Sequence, residues 1–216
     1  MNNIIESFKK IQSNIKEQSS SKPVNVIAVS KTFTLNHIQP LIDYGHIHFG
    51  ENKVQEASAK WSEHKKNNQR LKLHMIGKLQ RNKAKDAVKI FDYIHSLDSQ
   101  KLADALAKHQ KKLNKTINYF IQVNIGNEIQ KSGIPVRELD PFYNYCTQEI
   151  NLKIIGLMVI PPNDKKSEKY FKSLNDLNKS LALENLSMGM SSDYIDAIKN
   201  EATFVRIGSS IFGARS

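Results

Sequence analysis

Apolar residues along this chain follow two alternating patterns. The opening stretch spaces Ile4, Phe8, Ile11 and Ile15 by three and four, the buried face of an amphipathic helix ending at the serine run Ser19–Ser21. After it come short, continuously apolar runs bounded by turn residues. They predict strands over Val24–Ser30, His46–Gly50, Leu71–Gly77, Tyr93–Leu97, Ile117–Ile125, Leu152–Ile160, Glu184–Gly189 and Ala202–Gly208. Helical patterns lie between them. One begins near Glu51, a basic one follows Gly77, and one puts Leu102, Ala105, Leu106 and His109 on one side behind a cap at Asp98 or Ser99. Others cover Val136–Ile150, Lys165–Leu183 and Asp193–Lys199. Runs such as VNVIAVS and LKIIGLMVI are too evenly apolar for a half-exposed antiparallel sheet and suit a parallel sheet covered on both faces. Eight βα units predict an α/β fold, a (β/α)8 TIM-type barrel in a single domain over 1–216 with an extra N-terminal helix. An open doubly wound sheet is the alternative.

Composition narrows the function classes. Of 216 residues, 39% are hydrophobic and 25% charged, the balance of a globular protein able to bury a core. No apolar run reaches the ~18 residues of a membrane span, and MNNIIESFKK is too charged for a signal peptide. One cysteine, Cys146, fits a reducing compartment, so a cytoplasmic location is expected, with the thiol packed and inert on its helix. The net charge of +11 invites a nucleic-acid reading. The lysines are scattered, however, in pairs such as Lys65-Lys66 and Lys111-Lys112, without the aromatic interleaving that base stacking needs. Nucleic acid is therefore not the expected partner. His46 and His48 share a strand face, but two ligands do not make a metal site, and none is expected. Trp61 is expected to pack against the barrel.

Ligands of such folds bind at the C-terminal ends of the strands. Lys31 ends the first strand, where partial desolvation favours the neutral amine that can attack an aldehyde. At the other end of the chain, FVRIGSSIFG places Gly208, Ser209 and Ser210 after the last strand, a source of backbone N–H groups and hydroxyls for an anion. LSMGMSSDY adds Ser191 or Ser192, either of which could cap the helix near Asp193 while reaching a phosphate oxygen. Each element alone could be an ordinary turn. In a closed barrel the first and last strands are neighbours, so an aldehyde-seeking lysine meets a phosphate cradle. Pyridoxal 5′-phosphate (PLP) carries both groups.

Seven segments extend this reading: AVSKT around Lys31, HFGENKVQEA (48–57), HMIGKLQRNK (74–83), VNIGNEIQKSGI (123–134), IIGLMVIPP (154–162), LSMGMSSDY (186–194) and VRIGSSIFGAR (205–215). In content and order the chain resembles the pyridoxal phosphate homeostasis proteins, relatives of the alanine racemase barrel domain. The resemblance implies a Schiff base on Lys31, a phosphate site at Ser191, Gly208 and Ser209, and Arg206 facing the pyridine nitrogen. It further implies that Asn52 and the segment from His74 to Ile76 line the pocket and that Met190 packs nearby. Lys131 matches a lysine tied to cofactor release or a second site. Two departures, Lys78 and Leu73, fall in the third βα unit and leave its loop open.

Arginine cannot accept a proton in any practical range, so at the pyridine nitrogen it donates a hydrogen bond and keeps the ring a weak electron sink. That argues against transamination and decarboxylation but not against racemisation, which needs two bases on opposite faces of the substrate. The related racemases draw the second base from another domain, for which no room is expected after the last strand. The expected function is a PLP carrier in cofactor homeostasis, with little or no turnover and transient contacts with PLP-dependent apo-enzymes. It is expected to be a monomer. The alternative is an amino-acid racemase.

Overall fold

The computed structural model describes residues 3–19, 22–128 and 130–213. Parts of the serine run (Ser20, Ser21), Ile129, and Ala214 and Arg215 of the last motif lie outside the described residues. Eight parallel strands form a closed barrel: β1 (Asn25–Val29), β2 (His48–Glu51), β3 (Lys72–Met75), β4 (Tyr93–Leu97), β5 (Asn118–Asn124), β7 (Ile154–Met158), β8 (Asn185–Met190) and β9 (Phe204–Ile207). Their order is β4-β3-β2-β1-β9-β8-β7-β5, and pairing of β4 with β5 closes the ring. The eight predicted strands are all present: β4 has the expected bounds, β2 and β8 start later and end one residue beyond them at Glu51 and Met190, and the others are shorter. A ninth, β6 (Ile134–Pro135), pairs with the end of β5 and is too short to leave a periodic signal.

A helical element follows every barrel strand, as βα units require. The stretch expected as one helix over Val136–Ile150 is a 3₁₀ turn at Val136–Glu138, a short helix α6 (Leu139–Asn144) and a π turn at Tyr145–Glu149. The expected cap on α5 (Gln100–Lys112) is corrected: Ser99 holds the N-cap position, but no side-chain capping bond forms.

The N-terminal helix α1 (Asn3–Gln18) buries Phe8, Ile11 and Ile15 as its spacing predicts. It lies against α2 (Leu35–Asp43), α8 (Tyr194–Lys199) and α9 (Ser209–Phe212), across the seam where the first and last units meet. Asn14 Nδ2 donates to the Tyr194 hydroxyl at 3.0 Å to complete that contact.

Strand alternation separates two cores. Outward residues such as Phe49 pack under the helices, with Trp61 at 4.9 Å between ring centroids, as expected for that tryptophan. Inward residues fill the barrel: Ile27, Phe120, Met158 and Phe204, with rings of histidine and tyrosine among them. His74 stacks on Tyr93 and His95 on Phe120, both at 4.3 Å. The interior is thus aromatic and polar where such barrels are dominated by branched aliphatics.

His46 and His48 lie beside one cavity with ring centroids 6.3 Å apart, but they point to different packing partners. His46 precedes β2 and packs against Phe8 and Phe49, while His48 faces the barrel. Among the described residues no cluster of His, Cys, Asp and Glu is arranged to hold a metal. No described helix is long and apolar enough to cross a membrane.

Candidate functional site

At the C-terminal mouth of the barrel lies a cavity of about 410 Å³, within the ordinary range for small-ligand sites. Its walls bring together Lys31 after β1, Asn52 after β2, Met190 at the end of β8 with Ser191 after it, and Arg206, Gly208 and Ser209 on and after β9. Seven of the eight predicted site residues therefore meet, from segments separated by most of the chain. Val29, Phe33, Ile76, Ile160, Ser192 and Gly213 complete the lining.

Parallel pairing of β1 with β9 makes this possible, with Ile27 opposite Arg206 and Ala28 opposite Ile207. Gly208 follows directly. A Cβ there would lie 3.3 Å from both Cβ and O of Val29, so glycine lets the last loop close on the strand that delivers Lys31. The loop after β8 is shaped by Gly189, whose φ of +88° is readily adopted only by glycine, and whose absent Cβ would lie 2.6 Å from that of Ala197. The helix-capping role expected of Ser191 or Ser192 is corrected. Asp193 holds the N-cap position of α8, and its Oδ1 accepts the Met190 N–H at 2.6 Å. The two serines are left in the turn, on the cavity wall.

The end of β1 is held by a buried polar cluster that the strand pattern does not reveal. Glu51 is fully buried, and its Oε1 accepts from the Ser30 hydroxyl (2.8 Å), the Lys60 ammonium (2.9 Å) and the Trp61 indole N–H (2.9 Å). Lys60 also donates to the Ser30 carbonyl at 2.9 Å. The residue before Lys31 is thereby fixed through both its side chain and its backbone. Beyond it, Thr32 has φ +71° and donates its N–H to Glu56 at 2.6 Å, turning the chain sharply away. Lys31 is half-buried between these anchors.

Arg206 is 5% exposed. Nη1 donates to the Ser187 hydroxyl and Nη2 to the Val159 carbonyl, each at 2.8 Å. Burial lowers its pKa to about 10, which leaves it charged at neutral pH. A guanidinium has five N–H donors, so further donors remain for the cavity it lines.

His74 is the exception. It is fully buried within the barrel and does not line the cavity. Its Nε2 lies 2.9 Å from His48 Nδ1, and its Nδ1 lies 2.9 Å from His95 Nε2. Ile76, two residues on and on the same strand face, is the one that reaches the mouth. Lys131 also lies off the cavity lining. It pairs with Glu128 at 2.6 Å and donates to the Pro161 carbonyl at 3.1 Å, tying the loops after β5 and β7. Of the two departures, Leu73 is a buried outward-facing residue, and Lys78 is exposed.

The pattern of the alanine racemase N-terminal domain family matches residues 7–216. The pyridoxal phosphate homeostasis protein of Aquifex aeolicus is 38% identical over 88% of this chain and 86% of its own. That of Pasteurella multocida is 37% identical over 98% and 97%. The chain belongs to the pyridoxal phosphate homeostasis protein family. Among solved structures similar to this family member is PipY of Synechococcus elongatus with PLP bound, at 34% identity and a TM-score of 0.86, covering 97% of this chain and all of that one. An alanine racemase of Clostridium difficile shares the fold, at 15% identity and a TM-score of 0.71 over 94% of this chain and 55% of that one.

Proposed function

We propose that this chain binds PLP in the mouth cavity and serves as a carrier in PLP homeostasis. The observation that carries the proposal is the meeting of Lys31 with Arg206, Ser191, Gly208 and Ser209 in one cavity. The residues present suit the group. Lys31 supplies the amine that condenses with the aldehyde, water leaving as the C=N bond forms. Ser191, Ser209 and the backbone N–H groups of Ser209 and Ser210, which precede the first paired N–H of α9 at Ile211, supply donors for the phosphate. Arg206 supplies a donor for the ring nitrogen, while Asn52 and Met190 close the sides. The relatives are named for PLP homeostasis, and PipY has been solved with PLP bound.

When bound, PLP supplies an aldehyde exchangeable between amines and a ring able to withdraw electrons. This chain restrains the second capacity. A donor-only arginine at the ring nitrogen disfavours its protonation. Among the described residues lining the cavity, Lys31 is the one side chain suited to act as a base, and racemisation calls for a second on the opposite face. Both points support a carrier with little turnover, which would release its cofactor to apo-enzymes by amine exchange. A cytoplasmic setting agrees with a single, fully buried cysteine.

The visible spectrum on adding PLP tests the proposal. Wild type should gain the band of a lysine-linked cofactor and Lys31→Ala should not. Equal spectra would overturn the assignment. Incubating the loaded protein with amino acids in heavy water separates the alternative: deuterium at the α-carbon with turnover would establish a racemase.

A further inference from the structure

The barrel interior contains a chain of polar side chains that ligand binding at the mouth does not use directly. Arg206 Nη1 lies 2.8 Å from Ser187 Oγ, which lies 2.8 Å from His95 Nδ1. His95 Nε2 is 2.9 Å from His74 Nδ1, and His74 Nε2 is 2.9 Å from His48 Nδ1. Ser187, His95 and His74 have no solvent exposure. His48 is half-buried and lines a second cavity of about 440 Å³ beside the start of β1 and α1. The chain therefore runs through the barrel from the ligand mouth to the opposite end.

Its polarity follows from one end. A guanidinium can only donate, so Ser187 Oγ accepts from Arg206. The serine hydrogen then points to its other partner, His95 Nδ1, which must accept. His95 is thus the Nε2–H tautomer and donates to His74 Nδ1. By the same step His74 is Nε2–H and donates to His48 Nδ1. Each donor from Arg206 Nη1 to His74 Nε2 finds an acceptor, as buried polar groups require. The opposite polarity would leave the Ser187 hydrogen without an acceptor among the described residues. Neutral imidazoles are needed throughout, and burial holds His74 and His95 well below their usual pKa.

We propose that Ser187, His95, His74 and His48 are positioning residues for Arg206, a polarised hydrogen-bond chain that fixes which guanidinium N–H groups turn into the mouth and so the donor offered to a pyridine ring nitrogen. The role toward the ring rests on the PLP reading above, whereas the polarity does not. Val159 O holds Nη2 and Ser187 holds Nη1, and the histidines keep the serine's lone pairs toward the arginine. Without the chain, the Ser187 hydroxyl is free to rotate and a buried charged donor loses its acceptor.

The test has two arms. In the first, ¹⁵N NMR of histidine-labelled protein without PLP reads the tautomers. His95 and His74 should both be neutral Nε2–H, and Arg206→Met should release His95 to the Nδ1–H form. A charged or Nδ1–H imidazole at either position in wild type would overturn the polarity, whatever the protein binds. In the second, PLP is titrated into Ser187→Ala, Ser187→Thr and His95→Phe, the last an apolar ring for the stack on Phe120. Loss of a hydrogen bond to a charged group predicts about tenfold weaker binding for Ser187→Ala and His95→Phe with a shifted ¹⁵N resonance of the ring nitrogen, and recovery in Ser187→Thr. Wild-type affinity and an unshifted resonance in a folded Ser187→Ala or His95→Phe would overturn the positioning role. If wild type forms no lysine-linked PLP, it is the PLP reading that fails, and the tautomer arm still decides the chain's polarity.

Discussion

At single residues, the account depends on side chains that hold others in place. Lys60 is 9% exposed and its ammonium meets Glu51, which has no exposure at all. Lys60→Met leaves a carboxylate buried without its charge partner, a change that costs about 3–5 kcal/mol. Urea unfolding should register the loss, with weaker PLP binding because Ser30, beside Lys31, loses its backbone clamp. Cys146 makes the opposite prediction. Burial pushes its thiol up to about 12, so the thiolate is scarce at neutral pH. A thiol reagent at pH 8 should label it only in denaturant, and rapid native labelling would contradict its packed position. Some of this was legible in the sequence. A lysine ending an apolar strand and a Gly-Ser turn after the last strand announced their chemistry through residue type and place. His74 is implied as a pocket-lining residue by the resemblance, but its place in a motif does not give its depth along the strand. It shares the inward face with Ile76, about 7 Å further from the mouth at ~3.3 Å of rise per residue. Glu51, Lys60 and Ser187 were not found because their partners lie on other elements.

At the scale of elements, loops are set by what packs beneath them. Gly189→Ala would meet both a left-handed backbone and the side chain of Ala197, so it should lower stability by about 1–3 kcal/mol and weaken phosphate binding at Ser191. Thermal unfolding together with inorganic phosphate competition would read both effects. The basic surface also has structural work. A groove of about 750 Å³ on the outer wall includes Lys65 and Lys115. Lys115 donates to the carbonyls of Val88 and Lys89 at the end of α4 (Ala84–Ile90), and Lys65 to that of Ile90 and to Asp92. Cations there complete the unsatisfied carbonyls of a helix C-terminus. Alternation of apolar runs made the barrel strands readable, whereas β6 and the 3₁₀–α–π sequence from Val136 to Glu149 were not, since each piece is shorter than the period that would reveal it. On β8 a register irregularity between Ser187 and Met190 breaks the alternation, so no parity rule could place both.

Across the whole molecule, a histidine-filled barrel has a consequence for acid stability. Burial lowers the pKa of His46 to about 4, and those of His48, His74 and His95 also lie below the usual 6.5. The unfolded chain binds these protons more readily than the folded one. Each histidine's contribution is therefore fully present above about pH 6.5 and is lost as pH falls toward its folded pKa, at about 1.4 kcal/mol per pH unit. Unfolding free energy should drop steeply from pH 6.5 to 5, and a flat profile would contradict neutral interior imidazoles. The closed ring places the first and last strands side by side, and that adjacency turns two remote sequence signals into one site. Borohydride reduction of the PLP-loaded protein, followed by peptide mass mapping, tests this most directly. The account predicts the pyridoxyl mass on the peptide carrying Lys31, and a label confined to Lys131 or to surface lysines would contradict it.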